Sequence, residues 1–474
     1  MPSNSSLQTS SLAHPLAAVV LAAGQSTRMK SSVSKVLHPI AGYPLLGHVL
    51  KTVASLGAAK TVVVASPGQN DVSALAQSFG AETAVQDPPM GTGHAVLQAG
   101  TSLADFSAQQ SDGDILVVYG DTPLITPETL QTMIARRHQD DQPAVVVFGF
   151  RPDDAGMYGR LVVDEDGNLN RIVEARDANE AERAVNLCNG GVVVIEGAIA
   201  FDLLAAIGND NAKGEYYLTD IVSAAVAARR TCAVVEGNSE EIMGVDNRTA
   251  LATAETIMQD RLRLAAMEAG VTLVDPNTIY LSEDTVLGVD VTIEPNVIIG
   301  AGVTIGDNVT IKGFSHIEGA TIAAGAVVGP FARLRQGANL AEDSRVGNFV
   351  EVKNADIETG AKVNHLAYVG DARVGAAANI GAGTITCNYD GFNKSHTDIG
   401  AGAFIGSNTA LVAPVAVGDG AIVGAGSVIT DDVQADAIAI TRPPLSQVAG
   451  GADRLRAKKQ ARKDAYANSQ QGGE

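Results

Sequence analysis

Two hydrophobic rhythms divide the chain. In the first half, apolar runs alternate with stretches of helical spacing. LAAVVLAAG (16–24), TVVVASP (61–67), DILVVYGD (114–121), AVVVFGF (144–150) and GGVVVIEG (190–197) read as buried strands, and PLLGHVLKTVASLG (44–57) is one of the helical stretches between them. Strands alternating with helices predict a Rossmann-like α/β unit, a mostly parallel sheet covered on both faces. Ligands of such a sheet bind outside the carboxyl ends of its strands. NRTALATAETIMQDRLRLAAMEAG (247–270) then carries Leu251, Ala254, Ile257, Met258 and Leu262 at helical spacing, with no proline and no glycine before Gly270. It predicts a connecting helix stopped by that glycine.

From about 283 the period becomes six. Leu287, Ile293, Ile299, Ile305, Ile311 and Ile317 form one series, and Val291, Val297, Val303 and Val309 a second. The register slips near 322, 357 and 374, then returns through Ile399, Ile405, Leu411, Val417, Val423 and Ile429. A sustained hexapeptide period predicts a parallel β-helix, each aliphatic facing the inside of the coil; ordinary hairpins would show period two with Asn-Gly or Asp-Gly turns. The expected organisation is a tail over 1–14, an α/β domain over 15–248, a linker helix over 249–272, a β-helix over 273–448 and a basic, then polar tail over 449–474.

Composition narrows the function. The net charge of −20 argues against nucleic acid as the main partner, because duplex affinity comes from neutralising phosphates. Cys188, Cys232 and Cys387 are too far apart for a zinc pattern or a disulfide framework, which fits a reducing cytoplasm. The Ser-rich start lacks the basic and apolar regions of a signal peptide and reads as disordered, and no apolar run approaches a membrane span. A soluble, cytoplasmic protein is expected.

Candidate chemistry sits at strand ends and in the coils. LAAGQSTRMKSSVSK (21–35) is a strand and loop followed by Arg28 and Lys35, without the P-loop or the G-x-G-x-x-G spacing. Loop amides and two cations suit a polyphosphate, although a plain strand–loop turn reads the same way. Asp121 in YGDTPL (119–124) follows a strand, where a carboxylate suits Mg²⁺ or caps a turn. In the second half, Arg335 and Lys353 each follow an inward aliphatic and are eighteen residues apart, which stacks them on adjacent coils if three hexapeptides make one coil. A phosphate between them would relieve their repulsion; each could instead have its own carboxylate, Glu351 being near. His365 occupies the slot held by Val289, Pro295, Ala301 and Asp307 in earlier coils, so it looks outward. His316 and His396 are too distant in sequence to complete a zinc site with it, and a lone imidazole near an amine reads as a general base. Two-thirds of a coil separates His365 from Lys353, so the two point to different faces.

These motifs resemble a known family. L-A-A-G-x-x-T-R-M, K-V-L-H, QDPPMGTGHA (86–95), YGD, YGR (158–160), the Glu of IVEARDA, the Asn of NLCNGG and GEYYLTD (214–220) look like the sugar-nucleotide pyrophosphorylases. GPFARLR, VGNFVEVK, HLAYVGD and NIGAGTITCNYDG look like the acetyltransferase half fused to the bacterial UDP-N-acetylglucosamine pyrophosphorylases, and the likeness runs from about 15 to 445. It implies a left-handed β-helix, UTP and acetyl-CoA as co-substrates, Mg²⁺, a homotrimer with acetyltransferase sites between subunits, and a product for peptidoglycan and lipid A synthesis. By the resemblance, Leu21, Ala22, Ala23, Gly24 and Lys35 contact the nucleotide and Arg28 its phosphates. Gln86, Gly91 and Thr92 read uracil; Tyr119, Gly120 and Asp121 line the site; Gly159, Glu174 and Asn189 hold N-acetylglucosamine. Asp121 and Asp246 would bind the metal, with Asn247 as the neighbouring alternative because GVDNR (244–248) departs from the usual G-V-N-x-R. A second departure is Ser26, where the family loop has glycine. In the other half, His365 would be the base. Arg335, Lys353, Tyr368 and Asn379 would hold glucosamine phosphate, and Ala382, Asn388, Tyr389, Ser407, Ala425 and Arg442 would line the acetyl-CoA path. The rivals are a non-catalytic regulatory subunit, which tends to lose these cations and carboxylates, and a one-activity pyrophosphorylase of different base specificity.

Overall fold

A computed structural model describes residues 14–24, 27–110, 112–211 and 213–471; Ser26 and the Ser-rich start before His14 lie outside them. The chain divides into two compact units, Met1–Thr285 with Ile298–Gly302, and Val286–Val297 with Val303–Glu474.

In the first unit the strands order as Cys232–Glu236, Val145–Phe150, Cys188–Glu196, Asp114–Tyr119, Leu16–Leu21, Lys60–Ala65 and Glu82–Val85. Leu16–Leu21, a central strand of this sheet, explains the unbroken apolar runs of the sequence. Ala17, Val19 and Leu21 enter the core on one face of the sheet, and Leu16, Ala18 and Val20 the core on the other. A strand buried on both faces has no polar side to show. Only Cys188–Glu196 runs antiparallel to its neighbours in this row. Its apolar run looks like the others, but it follows the antiparallel pair Arg160–Val163 and Leu169–Val173 and a helix of four residues, Glu180–Arg183. A parallel return needs a crossover of a dozen or more residues that carries the chain back across the sheet.

Helix Arg248–Glu268 lies where the connecting helix is expected, and Asn247 caps it by accepting a hydrogen bond from the Ala250 amide (2.9 Å). Ala254 and Met258 bury against Ile40, Leu45, Leu124 and Val245 of the first unit.

The second unit is the expected left-handed parallel β-helix of hexapeptide repeats. Leu287 stacks on Ile305, Ile305 on Ile322, Ile322 on Leu340, Leu340 on Ile357 and Ile357 on Val374, so a coil is 17 or 18 residues. The next step, Val374 to Ile399, is 25 residues because the 388–396 loop is inserted there. Ile293, Ile305, Ile311, Ile317, Val328, Leu334, Ile405 and Leu411 are buried, as the six-residue period requires. One corner carries exposed apolar side chains on consecutive coils. Phe314, Phe331 and Phe349 stack with ring centroids 5.0 and 5.2 Å apart, followed by Leu366. All four have φ between 49° and 58°, a conformation that bulky residues seldom adopt. The basic C-terminal stretch forms helix Gly451–Gln471, whose side chains are exposed from Ala452 through Tyr466.

Candidate functional site

The carboxyl end of the central strand opens into a cavity of about 520 Å³. Leu21, Ala22, Ala23, Gly24 and Lys35 line it from one side, and Gln86, Gly91, Thr92, Tyr119 and Asp121 from the other. The sheet creates this crevice. Strand Leu16–Leu21 pairs with Lys60–Ala65 on one edge and Asp114–Tyr119 on the other; past their ends the Gly120 amide donates to Leu21 O and the Ala22 amide to Val64 O.

Where Lys35 and Asp121 line the cavity, Lys35 bridges two carboxylates. Its Nζ donates to Asp121 Oδ2 and to Asp246 Oδ1 (2.7 Å), while Arg28 pairs with Asp246 Oδ2 (2.8 Å). The Val245 amide donates to Asp121 O (2.9 Å), which brings two segments more than a hundred residues apart into one cluster. Burial by itself depresses the Lys35 ammonium; the Asp121 and Asp246 carboxylates outweigh it and hold its pKa above the ordinary lysine value. Two carboxylate oxygens within hydrogen-bond reach of one point are a donor set for a hard cation. Asn247 is committed to its helix cap, so Asp246 is the side chain that faces this cluster.

The rest of the pocket is set by close backbone contacts. Gln86 is buried, and its Nε2 donates to Gly91 O (2.9 Å) and approaches His94 Nδ1 (3.1 Å). Gly91 has φ 107°, and a Cβ there would lie 2.5 Å from Tyr216 O. The segment 214–218 closes over it: the Tyr216 amide donates to Met90 O, the Gly93 amide to Tyr216 O, and the Leu218 amide to Thr92 Oγ1. Glu215 thereby joins the lining. GEYYLTD carried no assigned residue in the sequence reading, although the motif itself was the available signal.

Further along, the Asn189 amide donates to Gly159 O (2.8 Å), and Thr219 donates to Glu174 (3.3 Å). Burial raises the Glu174 carboxyl above the usual range against that hydrogen bond. Tyr119, whose hydroxyl burial pushes well up, feels the charges of both Asp121 and Glu174 and so links the two regions.

In the β-helix, Arg335 and Lys353 stack as their spacing predicts, the Arg335 amide donating to Val352 O (2.9 Å). The carboxylate alternative holds for one of them: Arg335 pairs with Glu351 (2.8 Å). Lys353 instead sits against Lys394, and that ammonium, then Arg335, lowers its pKa. Lys394 belongs to the inserted loop and has no sequence signal beyond being a cation there. Asp371 accepts from Asn354 (2.6 Å) and Asn388 (2.5 Å); these bonds and the two lysines keep its carboxyl low against its burial.

His365 is exposed, as its slot predicts, and its Nδ1 is 2.7 Å from Asn348 Oδ1. It ends strand Lys362–His365, which pairs with Arg345–Asn348 and with Asn379–Ile380; Lys353 and Tyr368 lie in the other sheet. One chain therefore does not align the imidazole with the cation pair. Ala382, Ser407, Ala425 and Arg442 form a column along successive coils, joined by Asn408 N to Ala382 O, Gly426 N to Ser407 O and Arg442 to Ala425 O. Tyr389 is exposed on the inserted loop, its hydroxyl donating to Gly391 O (2.7 Å).

Residues 18–211 match the MobA-like NTP transferase domain, and 284–319 with 396–431 match the bacterial transferase hexapeptide (six repeats). The unmatched span between the repeats contains the register slips and the longest coil. The chain is 57% identical over 448 residues to bifunctional protein GlmU of Paramagnetospirillum magneticum, covering 94% of this chain and 98% of that one. It is 58% identical over 441 residues to the protein of the same name from Rhodospirillum rubrum, covering 93% and 97%. With a nucleotidyltransferase unit followed by a hexapeptide-repeat β-helix and likeness over nearly its whole length, the chain belongs to the GlmU family of bifunctional proteins.

Proposed function

We propose that the two units catalyse consecutive steps of UDP-N-acetylglucosamine synthesis. The β-helix unit acetylates glucosamine 1-phosphate with acetyl-CoA. The first unit then joins the product to UMP from UTP: a sugar 1-phosphate oxygen attacks the α-phosphorus, and pyrophosphate leaves. The observation that carries this reading is the Lys35–Asp121–Asp246–Arg28 cluster, whose Lys35 and Asp121 line the strand-end cavity.

Catalysis of the second step is positioning and charge neutralisation. Arg28 and Lys35 offset the triphosphate. A Mg²⁺ held by Asp121 and Asp246 would supply further neutralisation. Gln86 has spent its amide nitrogen on the protein, which leaves its carbonyl oxygen to accept the uracil imide N–H. Glu174 and Asn189 receive the sugar.

For the first step, Asn348 Oδ1 accepts from His365 Nδ1–H, leaving the Nε2 lone pair to take the proton of the attacking amine. The sugar phosphate binds Arg335 and Lys353, where an anion relieves the repulsion that includes Lys394. Tyr368 and Asn379 contact the sugar, and the Ala382–Ser407–Ala425–Arg442 column with Asn388 and Tyr389 receives acetyl-CoA. Because His365 and Lys353 lie in different sheets, a neighbouring subunit completes the site in a homotrimer, with the exposed Phe314–Phe331–Phe349 corner as a contact seam. Among the described residues no helix is long and apolar enough to cross a membrane, and both co-substrates are cytoplasmic metabolites, where we place the enzyme.

The test is a two-part assay, glucosamine 1-phosphate with acetyl-CoA and N-acetylglucosamine 1-phosphate with UTP and Mg²⁺. His365→Ala should abolish the first activity and spare the second, and Asp121→Ala the reverse. Loss of both activities in either variant would show that they are wrongly divided.

A further inference from the structure

A second cluster of metal-ligating side chains lies at the opposite edge of the sheet from the cavity. His14 precedes strand Leu16–Leu21, Asp112 precedes strand Asp114–Tyr119, and His138 ends helix Pro127–Arg137. One ligand atom from each lies within 4.8 Å of the others. Asp112 presents both oxygens to the rings: Oδ2 is 2.5 Å from His14 Nδ1, and Oδ1 is 3.8 Å from His138 Nδ1.

A second observation concerns His138. Its Nε2 is 2.8 Å from Oδ2 of the buried Asp114, which also pairs with Arg137. A proton on Nε2 satisfies that carboxylate and leaves the Nδ1 lone pair facing Asp112. Lone pair and carboxylate oxygen then repel; the Arg137 guanidinium, with Nη2 3.3 Å from His138 Nδ1 and 3.8 Å from Asp112 Oδ1, eases that repulsion, and an ion bound to both atoms would remove it. A histidine held on its far nitrogen by a carboxylate is the usual arrangement of a metal-bound imidazole. Charge agrees: with neutral rings, two carboxylates against the Arg137 guanidinium leave one negative charge for a dication. The guanidinium is close, Nη2 lying 3.3 Å from both His138 nitrogens, and Asp114 is what offsets it.

We propose that His14, Asp112 and His138 form a site for a divalent ion of the zinc class, fastening the residue before the central strand to the sheet and to helix Pro127–Arg137. Two imidazoles and a carboxylate are ligands that zinc accepts, with a fourth position left to water. The rings are stacked 3.5 Å apart and 5° from parallel, so one must turn before both planes contain the ion. His14 is the one that turns, since Asp114 and Arg137 pin His138. The site lies at the other end of strand Asp114–Tyr119 from Asp121, roughly 20 Å away for a strand of six residues. Its occupancy therefore alters stability and leaves both transferase activities unchanged.

The experiment titrates Zn²⁺ into chelator-stripped full-length protein in excess Mg²⁺, and reads bound zinc by equilibrium dialysis and the melting temperature. Wild type is expected to bind one more equivalent than His14→Ala or Asp112→Asn, and only wild type should gain several degrees in Tm with zinc. Both positions are away from the core, so the variants should fold and keep both activities. Zinc stoichiometry and thermal response equal to wild type in either variant, or no tight zinc in wild type, would overturn the proposal.

Discussion

The hydrogen bond between Asn348 and His365 makes a quantitative demand on the acetyltransferase step. At 2.7 Å, Asn348 Oδ1 selects the tautomer with its proton on Nδ1 and keeps Nε2 available as a base. Asn348→Ala removes one exposed neutral hydrogen bond, a net loss of about 0.5–1.5 kcal/mol. At about 1.4 kcal/mol per decade, kcat should fall roughly 2- to 12-fold, with little change in KM. Asn348→Asp keeps the acceptor but adds a charge. At about 4 Å in a water-like dielectric a unit charge is worth about 1 kcal/mol, or roughly 0.7 pH unit. The carboxylate favours the imidazolium, and in the proposed mechanism the neutral ring is the base, so activity should be lost on the acid side. The acidic limb of the pH–rate profile should move upward by that amount, a roughly fivefold loss below the limb and none well above it. The assay is initial acetylation rate against pH at saturating acetyl-CoA for wild type and both variants. A limb that stays in place or moves downward in Asn348→Asp would refute the tautomer argument. So would an Asn348→Ala enzyme with wild-type kcat.

Two further expectations follow from burial and exposure. Burial raises the Glu174 carboxyl, so the charged form is penalised in the folded state; that penalty is present above its folded pKa and is relieved as the pH falls through it. Glu174→Gln should therefore melt higher than wild type at pH 8, with the difference shrinking towards acid pH; a difference independent of pH would refute this. Phe331 is sandwiched between Phe314 and Phe349 at the exposed corner, so if that corner is the seam of the proposed trimer, Phe331→Asp should shift it towards monomer in light scattering and lower acetyl transfer while sparing uridylyl transfer. An unchanged trimer with full acetyl transfer would exclude the corner as the seam.

The β-helix was legible because its constraint is local. Every inward slot must hold an aliphatic of limited size, so the period survives in the sequence and marks His365 as outward. The strand-end cavity was half legible: Leu21–Gly24 and Asp121 follow apolar runs, but nothing local shows that residues 214–218 fold back over Met90–Gly93. Asp246 and Asn247 are adjacent in sequence, and only the start of the helix separates their roles, one side chain turning to Lys35 and the other to the Ala250 amide. Strand direction was hidden as well, since Cys188–Glu196 carries a buried apolar run, Val192 to Ile195, like the strands beside it, and burial does not record direction. Lys394 lies in an inserted loop that obeys no period, and Asp371, on strand Tyr368–Val374, meets that loop through Asn388.

The two carboxylates and two cations of the Lys35 cluster also bear on how the site would meet its ligands. Asp121 and Asp246 balance Lys35 and Arg28, so the resting cluster carries its own counter-ions and sums to zero formal charge. A bare divalent cation gains no long-range pull from such a quartet and has to displace an ammonium to enter. On the proposed function, Asp121 and Asp246 would hold a cation that arrives chelated by a triphosphate, and Lys35 and Arg28 would be released to the phosphates. Ion and nucleotide should then bind with mutual dependence, each weak alone.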